Sequence, residues 1–162
     1  MYIPTGTLEW HGWQNPLGTD ALKAHAICYE AALKHGGVVL PPFYQGLVGT
    51  DNWGPEGWRE YTQSFNEEEM FLAAMTGIVR AMVFGEWRVI VGVTGHDVPL
   101  QCDAMQKAID TITQNTSAMG FAVMEGELHQ ANDDIPYTID HAAAWETLCR
   151  CMTVRARWTW TL

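Results

Sequence analysis

Glu9 and His11 stand two positions apart, so on an extended segment both side chains point the same way and can meet one cation. Asp20 follows Gly18-Thr19 at the expected start of a helix, where the chain turns back toward the same end of the fold. His96 comes directly after Thr94-Gly95, at the carboxyl end of an expected buried strand, where open α/β sheets place their ligands. Glu146 lies five residues after His141 on an expected helix, about a turn and a half on, so the two approach one site without sharing a face. Imidazole and carboxylate donors suit Zn, Mn or Fe(II), and a carboxylate such as Asp20 can bridge two ions. An ion held this way turns water into a nucleophile near neutral pH and polarises an amide carbonyl. The spacing alone is also compatible with solvated turn residues and helix caps, which draw on the same residue types.

The elements that must position these residues alternate between strand and helix periods, the pattern of an α/β domain with a largely parallel sheet. Residues 1–7 read as a first strand ending near Gly6. Residues 19–35 read as a helix with Leu22, Ala26, Tyr29 and Leu33 on its apolar face, stopped by Gly36-Gly37. Val38-Val39-Leu40 reads as a second strand halted by Pro41-Pro42, and residues 43–62 as a long ordered loop. Ser64 and Glu67 have the spacing of a capping box opening a helix that runs to Val83, with Gly85 ending it. Trp87 to Thr94 is β-branched on both faces, as a central strand buried on two sides should be. A helix over 99–116, a strand over 121–125 and a helix over 141–152 complete the pattern. From Val154 onward apolar and polar residues alternate, which predicts a strand with one apolar face that packs on this domain or on a neighbouring subunit.

The chain has 162 residues, of which 48% are hydrophobic, enough for a single domain with a real core. Nine Lys and Arg against nineteen Asp and Glu give a formal charge of −10, which repels phosphate backbones and anionic lipid and argues against nucleic acid as a partner. No basic segment precedes an apolar one at the N-terminus, and no apolar run approaches a bilayer's thickness, so the expectation is a cytoplasmic protein with no membrane partner. Cys28, Cys102, Cys149 and Cys151 lack metal-type pairing and read as reduced thiols in or near the core.

Thr5-Gly6-Thr7-Leu8-Glu9-Trp10-His11-Gly12 followed by Pro16-Leu17-Gly18-Thr19-Asp20 resembles the opening motif of the creatininase family, Gly-x-x-Glu-x-His-Gly and then a Thr-Asp or Val-Asp pair. Later segments match in order: Val38 to Pro42 resembles a Val-x-Pro-Pro strand end, Thr94-Gly95-His96 an Asn-Gly-His, and the run from His141 to Thr147 a His-Ala-Gly-x-x-Glu-Thr. The resemblance implies a creatininase-like three-layer α/β/α domain over residues 1–162 and a homo-oligomer, hexameric in the family. It also implies one or two divalent ions, with Zn ahead of Mn and Fe. Glu9, Asp20 and His96 would hold one ion; His11, Asp20 and a second acid would hold the other. In creatininase that acid comes two residues after the histidine, where this chain has Val98; Glu146 is the available substitute and Asp97 the alternative. His141 matches the histidine that shuttles a proton to the leaving nitrogen, so His141 and Glu146 are the expected catalytic residues.

Two segments depart from the family pattern: Gln14 replaces a second histidine, and Asp97-Val98-Pro99 replaces Gly-Gly-Asn. Family chains are also longer at both ends, so the expectation is a trimmed relative or a fragment. The implied reaction is hydrolysis of a C–N bond in a small cyclic or linear amide, or a short peptide, by metal-activated water. The alternative is a non-catalytic relative that keeps the fold for assembly.

Other residues have plainer readings. His25 and His35 fit surface or capping roles, His129 a solvated stretch, and Met70, Met75 and Met82 the core. Glu67-Glu68-Glu69 suits the first turn of a helix. Trp10, Trp13, Trp53, Trp58 and Trp145 suit either the core or a pocket for a flat or cyclic substrate.

Overall fold

A computed structural model describes residues 1–47, 67–130, 141–142 and 146–147. Three parallel strands form the sheet in the order β1 (Tyr2–Thr5), β2 (Val89–Thr94), β3 (Met119–Met124). Tyr2 pairs with Val91 and Thr5 with Thr94 on one side of β2, and Val89 pairs with Met119 on the other. β2 is therefore central, as its β-branched sequence requires.

Helices cover both faces. α1 (Thr19–His35) lies on one, where Ala24, Cys28 and Val93 form a small core with Tyr2, Val91 and Val123 packed against it. α2 (Glu68–Phe84) and α3 (Pro99–Thr113) lie on the other, over a larger core that joins Ile3 and Ile90 to Phe71, Met75, Val79, Met105 and Ile109. Alternate residues of β1 and β2 thus feed opposite layers, which gives the three-layer α/β/α fold. The short helix α4 (Glu125–Gln130) follows β3 directly.

The buried face of α1 is not the one its large apolar residues suggest. Ala21, Lys23, Ala24 and Cys28 turn inward, whereas Tyr29 and Leu33 are exposed. Close approach explains the choice. A Cβ on Gly6 would lie 2.2 Å from the Ala21 amide nitrogen, and one on Gly95 would lie 2.1 Å from the Asp20 carbonyl oxygen. Only small residues on the helix, and no side chain at all on the two strand ends, allow this docking.

The expected second strand is reduced to isolated parallel bridges, Tyr2 with Val39 and Thr5 with Phe43. Pro41 and Pro42 lack the N–H groups a ladder needs. Backbone bonds resume beyond them, from the Phe43 amide to the Pro4 carbonyl at 2.9 Å. α2 begins at Glu68 with Glu67 as its N-cap and no side-chain cap, so Glu67 does not serve as the third residue of a capping box; Ser64 lies outside the described residues. α3 stops at Thr113 rather than Thr116, and β3 ends at Met124, leaving Glu125 to open α4. Met75 is core and Met82 packs against it, but Met70 is largely exposed. Cys28 and Cys102 are free thiols. The expected helix over 141–152, the apolar tail, most of the long loop and Trp53, Trp58 and Trp145 fall wholly or largely outside the described residues.

Candidate metal centre

All five expected ligands meet at the carboxyl ends of the strands. Glu9 and His11 leave β1 on an extended segment whose Glu9 amide bonds the Leu17 carbonyl at 3.0 Å. A turn then brings the Thr19 hydroxyl and amide onto the Pro16 carbonyl, at 2.6 and 3.2 Å, and Asp20 enters the first turn of α1. His96 follows β2. Glu9, His11, Asp20, His96 and Glu146 are all buried, and His11 and Asp20 are no more than 1% exposed.

Asp20 stands between the histidines, with Oδ1 2.9 Å from His11 Nε2 and Oδ2 3.2 Å from His96 Nδ1. Glu9 Oε1 lies 3.2 Å from His96 Nδ1, 3.6 Å from His141 Nδ1 and 3.9 Å from His11 Nε2. Glu146 Oε2 is 3.7 Å from His11 Nε2. Two buried triplets result, Glu9–Asp20–His96 and His11–Asp20–Glu146. Each offers three ligand atoms within 4.8 Å of one another, and Asp20 is common to both. Glu9, His11 and His141 form a third such group, whose His141 is exposed.

Each of the three histidines at the cluster has one ring nitrogen fixed by a backbone carbonyl: His11 Nδ1 by Glu9 at 3.0 Å, His96 Nε2 by Leu47 at 3.0 Å, and His141 Nε2 by Trp10 at 2.8 Å. A carbonyl only accepts, so these nitrogens carry the proton, and in the neutral ring the opposite lone pair faces the carboxylates. That is how proteins orient ligating imidazoles.

A hydrogen-bonded circuit holds His96 further. The Leu47 amide donates to Gln101 Oε1 at 2.8 Å, and Gln101 Nε2 donates to Thr94 Oγ1 at 2.7 Å. Thr94 Oγ1 donates in turn to the His96 carbonyl at 2.9 Å.

The charge balance favours a cation. Among the described residues, four buried carboxylates (Glu9, Asp20, Glu125, Glu146) share this region with one buried ammonium, Lys23. Burial opposes charge on His11, but Asp20 and Glu146 outweigh it and raise its pKa to about 9. Burial likewise opposes charge on His96, and Asp20 and Glu9 raise it to about 10. Burial pushes Asp20 up, yet the two histidines hold it well below the usual carboxylate range. Within this cluster His11 Nε2 and Asp20 Oδ2 are buried without a well-formed hydrogen bond among the described residues, although both have close charged neighbours. Anionic oxygen, two oriented imidazoles and unsatisfied buried donor atoms fit a divalent ion.

A family model for creatininase, described as creatinine amidohydrolase, matches residues 1–153. The chain belongs to the creatininase family. Its fold agrees with solved creatininases. A crystal structure of creatinine amidohydrolase superposes with a TM-score of 0.71 at 20% identity, covering 90% of this chain and 61% of that one. A manganese creatininase gives 0.68 at 20% identity, covering 90% and 62%. A creatininase mutant of Zn-Zn type gives 0.70 at 19%, covering 90% and 61%. This chain therefore spans about three fifths of the length of those creatininases. No curated protein matches it.

Among the described residues, Glu146 joins the cluster and Asp97 does not: Asp97 accepts from the Gly126 amide at 3.2 Å, at the start of α4. Gln14 donates to the Ala142 carbonyl at 2.6 Å and so ties the first motif to the residue after His141. Lys23 and Glu125 escaped the sequence reading. Lys23 Nζ lies 2.6 Å from Glu146 Oε1 and 3.2 Å from Glu125 Oε2. Burial works against its charge, but Glu125, Asp20 and Glu146 hold its pKa above the usual ammonium value. Its position three residues after Asp20, on the face of α1 lined by Ala21 and Ala24, is the signal that could have found it. Among the described residues no helix is long and apolar enough to cross a membrane.

Proposed function

We propose that this chain is a divalent-metal-dependent amidohydrolase that cleaves a C–N bond of a small cyclic or linear amide. The observation that carries this reading is the pair of buried donor triplets sharing Asp20. Glu9, Asp20 and His96 would hold one ion, and His11, Asp20 and Glu146 the other, with zinc or manganese as the first candidates. When bound, such ions activate water and polarise the scissile carbonyl.

The protein's own residues do the rest. His141 is 45% exposed at its side chain, and its ring centroid lies 4.5 Å from that of His11, so it stands at the mouth of the centre. Its Nε2 proton is held by the Trp10 carbonyl, so Nδ1 is the atom that takes a proton from the attacking water and passes it to the leaving nitrogen. Trp10, whose carbonyl holds this histidine, meets Trp13 edge to face at 4.9 Å, and Trp13 is 93% exposed, which suits a flat or cyclic substrate.

Metal analysis of protein purified without chelator tests the reading. The expected result is about one to two equivalents of Zn, Mn or Fe per chain, with hydrolysis of small amides that chelation abolishes. Less than about half an equivalent, together with unchanged thermal stability in Glu9→Ala and His96→Ala, sinks it and leaves a non-catalytic assembly role.

A further inference from the structure

We propose that Lys23 is a built-in counter-cation that makes the two metal positions unequal. The Glu9–Asp20–His96 position fills first, and the His11–Asp20–Glu146 position binds more weakly. The inference rests on the two-position reading above and adds what sets their order.

The two outer carboxylates have different neighbours. Among the described residues, Glu9 Oε1 faces only imidazole nitrogens in its charged contacts, at 3.2, 3.6 and 3.9 Å, two of them from the candidate ligands His96 and His11. Among these contacts a cation arriving there competes with protons on the rings and with no fixed cation. Both oxygens of Glu146 are already engaged. Oε1 receives the Lys23 ammonium at 2.6 Å, and Oε2 receives the Ala142 amide at 2.6 Å. A cation binding Glu146 must share its negative charge with Lys23 and sit close to a like charge where water does not screen it.

Lys23 cannot swing away easily. Its ammonium also binds Glu125 Oε2 at 3.2 Å, and Lys23, Glu125 and Glu146 are all buried. Lys23 also follows Asp20 by one turn of α1, so the helix that supplies the shared carboxylate supplies the competing cation.

The alternative is that Lys23 only ties α1 to α4 and to the Glu146 segment. The two roles differ in sign. Removing a structural tie weakens or preserves metal binding; removing a competing cation strengthens it at one position only.

The test is calorimetric titration of the chelator-stripped full chain with Zn(II), repeated with Mn(II), with metal content measured after dialysis. Lys23→Met alone leaves Glu125 and Glu146 buried without their cation and risks misfolding. The double variant Lys23→Gln/Glu125→Gln removes one charge of each sign and keeps the formal balance. The wild type is expected to bind in two steps separated by at least about tenfold in affinity, and the double variant to tighten the second step by about tenfold. A single tight equivalent in the wild type, with a second appearing in the double variant, supports the proposal equally. Two equal steps in the wild type, or a second step unchanged or weaker in the variant, overturn it and leave the metal centre standing. No uptake by the wild type overturns the metal centre and this inference with it.

Discussion

The Leu47 carbonyl accepts the Nε2 proton of His96 at 3.0 Å, and this contact decides which nitrogen of His96 faces Glu9 and Asp20. Leu47 is held in turn by Gln101, through its amide and Oε1. Gln101→Leu should therefore weaken metal binding by about 10- to 100-fold, the range seen when groups behind a ligating histidine are lost. It should also lower the melting temperature, since a buried amide left without its acceptor costs about 1–3 kcal/mol. Gln101→Glu, which keeps the acceptor for the Leu47 amide, should recover part of the affinity. Equal affinities in wild type and Gln101→Leu, measured by competition with a chromogenic chelator, would show that the circuit does not position His96.

Asp20 gives one oxygen to each buried histidine, so its loss should affect both positions together. Asp20→Asn should retain almost no metal after dialysis. Retention of a full equivalent would mean that Asp20 is not shared.

In the metal-free protein His11 and His96 have pKa values raised to about 9 and about 10 from the ordinary 6.5. A group raised by folding stabilises fully below its unfolded pKa, and that contribution is lost as pH climbs through the folded value. Chelator-stripped protein should thus melt at a higher temperature near about pH 6 than near about pH 10. Metal affinity should run the other way, rising with pH over the same window, because protons compete for the ring nitrogens. Melting curves with and without Zn(II) across that range check both signs; a metal-free midpoint that rises with pH refutes the first.

His141 touches the cluster from its exposed side and belongs to neither buried triplet. His141→Ala should lower kcat for amide hydrolysis by about 10²- to 10⁴-fold and leave metal content near the wild-type level. A matching loss of metal would make it a ligand instead of the proton carrier.

The centre was more legible than its supports. Glu9, His11, Asp20 and His96 could be read from local order together with the motif resemblance, because strand ends and helix starts fix where their backbones point. The boundaries of α1 were equally plain, since Gly18 and Gly36-Gly37 bracket it. Which face of α1 goes inward was not, because the answer depends on the space above Gly6 and Gly95, a property of two distant strands. Tyr29 and Leu33 looked like core by hydrophobicity but are exposed, and nothing in the sequence singled out Lys23, which is buried. The break at Pro41-Pro42 was visible as a stop, but its effect on the neighbouring ladder needed the partner strand. Gln101, seven residues after Thr94, gave no sign that it would reach back to that hydroxyl.

The tight seating of α1 against Gly6 and Gly95 has a kinetic side. Asp20 reaches its place only when the helix has settled onto both strand ends, and Glu146 arrives from far along the chain. A half-folded molecule therefore holds scattered donors but no centre. In refolding, ion capture should come late, and the ion would witness completed tertiary structure instead of nucleating it. Even a methyl group at Gly6 or Gly95 would delay or abolish that final step while leaving every ligand in the sequence intact.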